Sequence, residues 1–179
     1  MSRVTIKDKT FETSIPEADI QKRVKAVADR INHDFQGRVP ILLSVLNGSF
    51  VCAADLMRYL NIECEISFVK MASYQGTSST GTVRKLIGVN TDLKGRDVII
   101  VEDIVDTGVT MKNMLAMLKE YEPASLHICT LLVKPQKLTV PLNIEYCAME
   151  IPNDFIVGYG LDYDQLGRNL RDIYTVVED

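Results

Sequence analysis

The feature that most constrains this chain is a repeated unit: a short apolar run, an abrupt polar turn, then a stretch with helical periodicity. Val39-Pro40-Ile41-Leu42-Leu43-Ser44-Val45-Leu46 ends at Asn47-Gly48-Ser49, and Phe50 to Leu60 then reads as a helix. Asp97-Val98-Ile99-Ile100-Val101 is followed by acids and a turn, then by a helix over Val109 to Tyr121 with Met111, Met114, Leu115 and Leu118 inward. Ser125 to Val133 predicts another strand, and Tyr146–Met149 and Phe155–Gly158 predict shorter ones. Strands this short and apolar need cover on both faces. Their alternation with helices predicts an α/β chain with a central, mainly parallel sheet flanked by helices on both sides. In such sheets ligands bind beyond the carboxyl ends of the strands, so functional residues are expected just after a strand.

Two further segments complete the outline. Ser14 to Asp34 predicts an amphipathic helix, with Ile20, Val24, Val27, Ala28 and Ile31 on one face. Ser14-Ile15-Pro16-Glu17 has the spacing of a capping box with proline in the first turn. Met71 to Val83, by contrast, carries two glycines and six Ser or Thr residues. It is too polar to join a core and reads as a lid or binding loop.

At 179 residues the chain suits one domain. Its formal charge of -4 disfavours a general nucleic-acid binder, which normally carries a basic excess. No apolar run approaches the roughly 18 residues a membrane helix needs. The opening Met1-Ser2-Arg3-Val4-Thr5-Ile6-Lys7-Asp8 lacks the apolar core of a signal peptide, so a cytoplasmic protein is expected. Cys52, Cys64, Cys129 and Cys147 form no C-x-x-C pair and read as free thiols in a reducing compartment.

The chemistry concentrates in Val98-Ile99-Ile100-Val101-Glu102-Asp103-Ile104-Val105-Asp106-Thr107-Gly108-Val109-Thr110-Met111. An apolar strand leads to two adjacent carboxylates. A third opens a short Gly- and Thr-containing loop that runs into a helix. Backbone N–H groups at a helix start, a glycine for close approach and Thr hydroxyls suit a phosphate. Paired carboxylates suit vicinal ribose hydroxyls or a hard cation such as Mg²⁺. Helix capping explains Asp106 but leaves Glu102 and Asp103 unexplained. There is no G-x-x-x-x-G-K-[ST] motif, and Gly158-Tyr159-Gly160 lacks the third glycine of the dinucleotide fingerprint. Two distant histidines give no support to a Ser-His-Asp arrangement.

Val101-Glu102-Asp103-Ile104-Val105-Asp106-Thr107-Gly108-Val109-Thr110-Met111 resembles the phosphoribosyl-pyrophosphate (PRPP) motif of type I phosphoribosyltransferases, in the form used by the hypoxanthine (6-oxopurine) enzymes. Four further segments match that family in order: Leu46-Asn47-Gly48-Ser49-Phe50, Ser73-Tyr74, Leu132-Val133-Lys134-Pro135, and Phe155-Ile156-Val157-Gly158-Tyr159-Gly160-Leu161-Asp162-Tyr163. The resemblance implies the type I phosphoribosyltransferase fold: a core over about 15–150, a small hood from the N-terminal segment and about 150–179, and a mobile lid over about 71–84.

The resemblance also implies roles. Glu102 and Asp103 would hold the ribose hydroxyls, directly or through Mg²⁺. Asp106 would be the general base at purine N7. Thr107, Gly108 and Thr110 would cradle the 5′-phosphate, with backbone donors from Asp106 and Val109. Leu46-Asn47-Gly48, with a cis peptide between Leu46 and Asn47, would grip pyrophosphate. Many relatives have Lys at the position of Asn47, so Arg168 becomes the candidate cation there. Lys134 would donate to the purine carbonyl, since an ammonium donates but cannot accept. Phe155 would stack on the base, Ile156 would face its edge, and Asp162 would bind Mg²⁺. Ser73 and Tyr74 would close over the site. The implied substrates are PRPP and hypoxanthine or guanine, giving IMP or GMP and pyrophosphate, from a homodimer or homotetramer with no nucleic-acid or membrane partner. Two other readings stay open at this point. One is a nucleotide- and RNA-binding regulator, which the acidic charge disfavours; the other is a dinucleotide-binding dehydrogenase, which the incomplete fingerprint disfavours.

Overall fold

A computed structural model describes residues 2–74 and 83–177 of the chain. The elements in order are β1 (Arg3–Ile6), β2 (Lys9–Ile15), α1 (Glu17–Asp34), β3 (Ile41–Val45), α2 (Phe50–Tyr59), β4 (Glu65–Tyr74), β5 (Val83–Ile87), β6 (Asp97–Val105), α3 (Val109–Lys119), β7 (Ser125–Val133), a 3₁₀ turn (Pro135–Lys137), β8 (Tyr146–Glu150), β9 (Ile156–Val157) and β10 (Ile173–Val176).

The larger sheet has the order β5-β4-β3-β6-β7-β8. Strands β4, β3, β6, β7 and β8 are mutually parallel, and β5 is added antiparallel at one edge. Successive residues of the central strands serve opposite faces. Leu42 and Ile99 pack with Ile20, Val24, Ile31 and Leu56 of α1 and α2. Ile41, Leu43, Val98 and Ile100 pack with Met111, Met114 and Leu118 of α3. Every residue of β3 is buried, which explains why its sequence shows no polar alternation. A second sheet, ordered β1-β2-β10-β9 and antiparallel throughout, joins the two ends of the chain around Phe11, Val157 and Tyr174.

Several local expectations need correction. Helix α1 begins at Glu17, and Ser14 does not cap it: the Ser14 hydroxyl donates to the Ile173 carbonyl (3.1 Å), while the Glu17 N–H donates to Asp172 Oδ1 (2.7 Å). The first turn is satisfied by a distant carboxylate, so a local capping box is redundant. Strand β6 continues past Val101 to Val105, because Ile104 and Val105 pair with Leu132 and Val133. Glu102 and Asp103 thus lie within a strand. The polar segment expected as a lid over about 71–84 is strand at both ends, with Ser73 opposite Arg84 and Tyr74 opposite Val83. Backbone pairing at a sheet edge is indifferent to side-chain polarity. Residues 75–82 of that segment lie outside the described residues.

Candidate active site

The cleft forms at the carboxyl ends of β3, β6 and β7, where the segment leading into β9 and the turn after it lean over the core sheet. Below it, β3 ends at Val45; the next residue, Leu46, donates its N–H to the Val69 carbonyl (2.8 Å), and the Leu46–Asn47 peptide is cis. Ser49 closes this turn from beneath: its buried hydroxyl donates to the Val45 carbonyl (2.5 Å) and accepts from Ser44 (2.7 Å). Gly48 is buried and Asn47 is exposed.

Strand β6 brings its acids to this turn. A Cβ placed on Gly48 would overlap the Asp103 carboxylate, so glycine lets the acidic strand touch the turn. Asp103 Oδ1 also accepts from the Ile104 N–H (2.8 Å). Glu102 is half-buried, and its carboxyl is pushed well above the usual carboxylate range, first by burial and then by the adjacent Asp103 charge.

From above, Gly160 packs against the same turn; a Cβ there would overlap the Gly48 carbonyl. Arg168 holds this contact, donating from Nη1 to the Gly160 carbonyl (2.8 Å) and pairing through Nη2 with Asp162 Oδ1 (2.8 Å). Asp162 Oδ2 accepts from the Gln165 N–H (2.7 Å), so Asp162 also serves as a turn residue. Asp103, Gly48, Gly160, Arg168 and Asp162 therefore form one continuous set.

Beyond β6, Asp106, Thr107 and Gly108 turn into α3. Gly108 is the N-cap residue at φ +81°, and Val109 and Thr110 open the helix exposed. A cavity of about 160 Å³ is lined here by Glu102, Asp106, Thr107, Gly108, Thr110 and Met111. This is a helix N-terminus with a glycine and two Thr hydroxyls, in which the Val109 N–H donates to Thr107 Oγ1 (3.4 Å), and such an arrangement suits an anion. Asp106 Oδ2 accepts from Lys137 Nζ (3.1 Å).

A third group stands at the end of β7. Lys134 is buried and donates from Nζ to the Asp154 carbonyl (2.7 Å). The residue after Asp154, Phe155, is 43% exposed. Its ring rests on Phe11 (centroids 6.0 Å apart) and, edge to face, on Tyr163 (5.6 Å). Ile156 is buried in β9. The Lys134 N–H donates to the Val105 carbonyl (3.1 Å), which joins this group to the phosphate-type loop. Ser73 and Tyr74 end β4, the neighbour of β3 on the side away from β6, and their side chains lie outside the described residues.

Comparison with known proteins decides the family. The phosphoribosyl transferase domain matches residues 16–164. A hypoxanthine-guanine phosphoribosyltransferase of Streptococcus pneumoniae is 41% identical over 162 residues, covering 90% of each chain. The chain belongs to the hypoxanthine phosphoribosyltransferase family. A hypoxanthine phosphoribosyltransferase of Escherichia coli is 40% identical over 171 residues, covering 94% of this chain and 96% of its own. The fold agrees: a crystal structure of a hypoxanthine-guanine phosphoribosyltransferase from Bacillus anthracis superposes with a TM-score of 0.86 at 40% identity, covering 93% of this chain and 98% of that one. Among the described residues no helix is long and apolar enough to cross a membrane.

Sequence reasoning missed two parts of the cleft. Gly158-Tyr159-Gly160 stands in the sequence as an incomplete fingerprint and as part of the segment Phe155–Tyr163 that resembles the family, but neither reading shows that Gly160 is a close-approach position. The segment after Lys134 carries a signal outside the family motifs: Lys134-Pro135-Gln136-Lys137 places a second cation three residues from the first.

Proposed function

We propose that this chain transfers the 5-phosphoribosyl group of PRPP to a 6-oxopurine in purine salvage, making IMP from hypoxanthine or GMP from guanine and releasing pyrophosphate. The observation that carries this reading is the packing of Asp103 against Gly48. It joins the acidic strand to the pyrophosphate-type turn in one cleft, with Arg168 on the same turn.

The reaction forms a bond from purine N9 to C1 of the ribose while the bond from C1 to pyrophosphate breaks, through an oxocarbenium-like state. Thr107, Gly108, Val109 and Thr110 anchor the 5′-phosphate, and Glu102 and Asp103 orient the ribose hydroxyls. Backbone groups of Leu46, Asn47 and Gly48 grip pyrophosphate, with Arg168 supplying the charge that Asn47 lacks. Lys134 donates to the 6-oxo group, Phe155 stacks on the base, Ile156 bounds its edge, and Asp106 takes the N7 proton. Ser73 and Tyr74 act as the lid that excludes water.

Glu102, Asp103 and Asp162 fit Mg²⁺ by donor type, since all offer hard oxygens. Among the described residues no three acids, histidines or cysteines are grouped so as to hold a metal ion by themselves. When bound, Mg²⁺ supplies neutralising charge to the departing pyrophosphate. Read this way, the sheet over about 15–150 is the catalytic core and the terminal segments form its hood, in a cytoplasmic homodimer or homotetramer. Incubation with PRPP, Mg²⁺ and hypoxanthine, with IMP followed by absorbance, tests the activity; an inert mixture would eliminate it.

A further inference from the structure

Lys137 belongs to none of the motifs that carry the proposed function. It ends the 3₁₀ turn Pro135–Lys137, three residues after Lys134. From Lys134 onward the chain runs beside the phosphate loop and bonds it residue by residue. The Lys134 N–H donates to the Val105 carbonyl (3.1 Å), Lys137 Nζ to Asp106 Oδ2 (3.1 Å), and the Thr139 N–H to the Thr107 carbonyl (3.0 Å). Leu138, Val140 and Leu142 then close over Gly108, on the side where any other residue would carry its Cβ. The loop thus lies under a strap whose first residue is the proposed purine-carbonyl donor.

The Lys137 bond differs from the others in the strap because it reaches a side chain that the reaction uses. Asp106 Oδ1 is buried and finds no hydrogen-bond partner among the described residues. A carboxylate oxygen left without a donor is costly, and here the loop supplies none. Lys137, on Oδ2, is the group that orients the carboxylate.

We propose that Lys137 is a positioning residue. Its ammonium holds Asp106 in the orientation that accepts the purine N7 proton, and it ties that orientation to the strand end bearing Lys134. The inference rests on Asp106 being the base. As the N9–C1 bond forms and the C1–pyrophosphate bond breaks, the N7 proton passes to Asp106; Lys137 touches neither substrate.

The test is steady-state kinetics on Lys137→Met, Lys137→Arg, Asp106→Asn and the Lys137→Met/Asp106→Asn double variant, with thermal midpoints as a folding control. Lys137→Met should lower kcat about tenfold or more while the KM for PRPP stays within about twofold. Lys137→Arg should restore most of the rate. In the Asp106→Asn background Lys137→Met should cost far less, because the group it positions is gone. The proposal is overturned if Lys137→Met keeps kcat within about twofold, if the two losses multiply, or if the effect is confined to the KM for PRPP. An Asp106→Asn variant of undiminished kcat would instead overturn the base assignment itself.

Discussion

The carboxylate of Asp103 rests against the backbone of Gly48, on the space a side chain there would fill. Gly48→Ala must therefore displace either the acid or the turn. Misplacement of about 1 Å near a reacting centre costs on the order of 100-fold, so kcat/KM for PRPP should fall by about that factor. Adding Asp103→Ala should recover thermal stability lost in Gly48→Ala, because the overlapping atoms are removed. A double variant no more stable than the single one would locate the damage elsewhere.

Glu102 gives a pH prediction for the metal-free, ligand-free protein. Burial first, and the Asp103 charge second, raise its folded pKa above the unfolded value of about 4.3. The folded state then binds the proton more tightly, and the associated stability is present below the unfolded pKa and lost as pH rises through the folded one. Glu102→Gln removes this loss. In EDTA the variant should melt above the parent at neutral pH, with the difference shrinking towards pH about 4. A difference constant across that range contradicts the assignment, and the stabilised variant should still be impaired in turnover.

Lys134 is a buried donor whose ammonium bonds the Asp154 carbonyl, next to Phe155, and the proposed function gives it the purine carbonyl. Lys134→Ala should lower kcat/KM for hypoxanthine and guanine by about 10- to 100-fold, the worth of a hydrogen bond from a charged group. The KM for PRPP should change far less. Unaltered purine kinetics would remove Lys134 from the base site.

The four cysteines are free, and burial raises all four thiols; Cys129 is pushed up to about 12. Cys64 and Cys147 are partly exposed while Cys52 and Cys129 are buried. Alkylation of the native protein near pH 8, read by mass spectrometry, should label Cys64 and Cys147 first. Cys52 and Cys129 should react only on unfolding. Early labelling of Cys129 would contradict its burial.

The buried parallel strands were legible because their two-sided burial is written as unbroken apolar runs, as in Ile41–Val45 and Val98–Val101. Of the second sheet, periodicity shows only β9, while the resemblance implies a hood from the same segments without its strands. Its β1 and β2 carry Thr, Lys and Glu at intermediate or exposed positions, and their pairing with β10 spans nearly the whole chain. No local window contains that information. The same holds for the start of α1, where the partner of Glu17 is Asp172. In the cleft, residues whose chemistry is unusual for their position stood out: paired acids after an apolar strand, a Gly- and Thr-containing loop at a helix start. Gly160 and Lys137 matter through what they touch, which only the assembled chain reveals.

The antiparallel sheet is assembled from both extremities, with β2 held between β1 and β10, and β10 in turn holding β9 beside Phe155. During synthesis the core strands can pair as they emerge, but this sheet must wait for residues 173–176 to leave the ribosome. Phe155 is thus secured only after β10 is made, and a chain halted before residue 173 would keep the Asp106–Thr110 loop while that ring lacked a neighbouring strand.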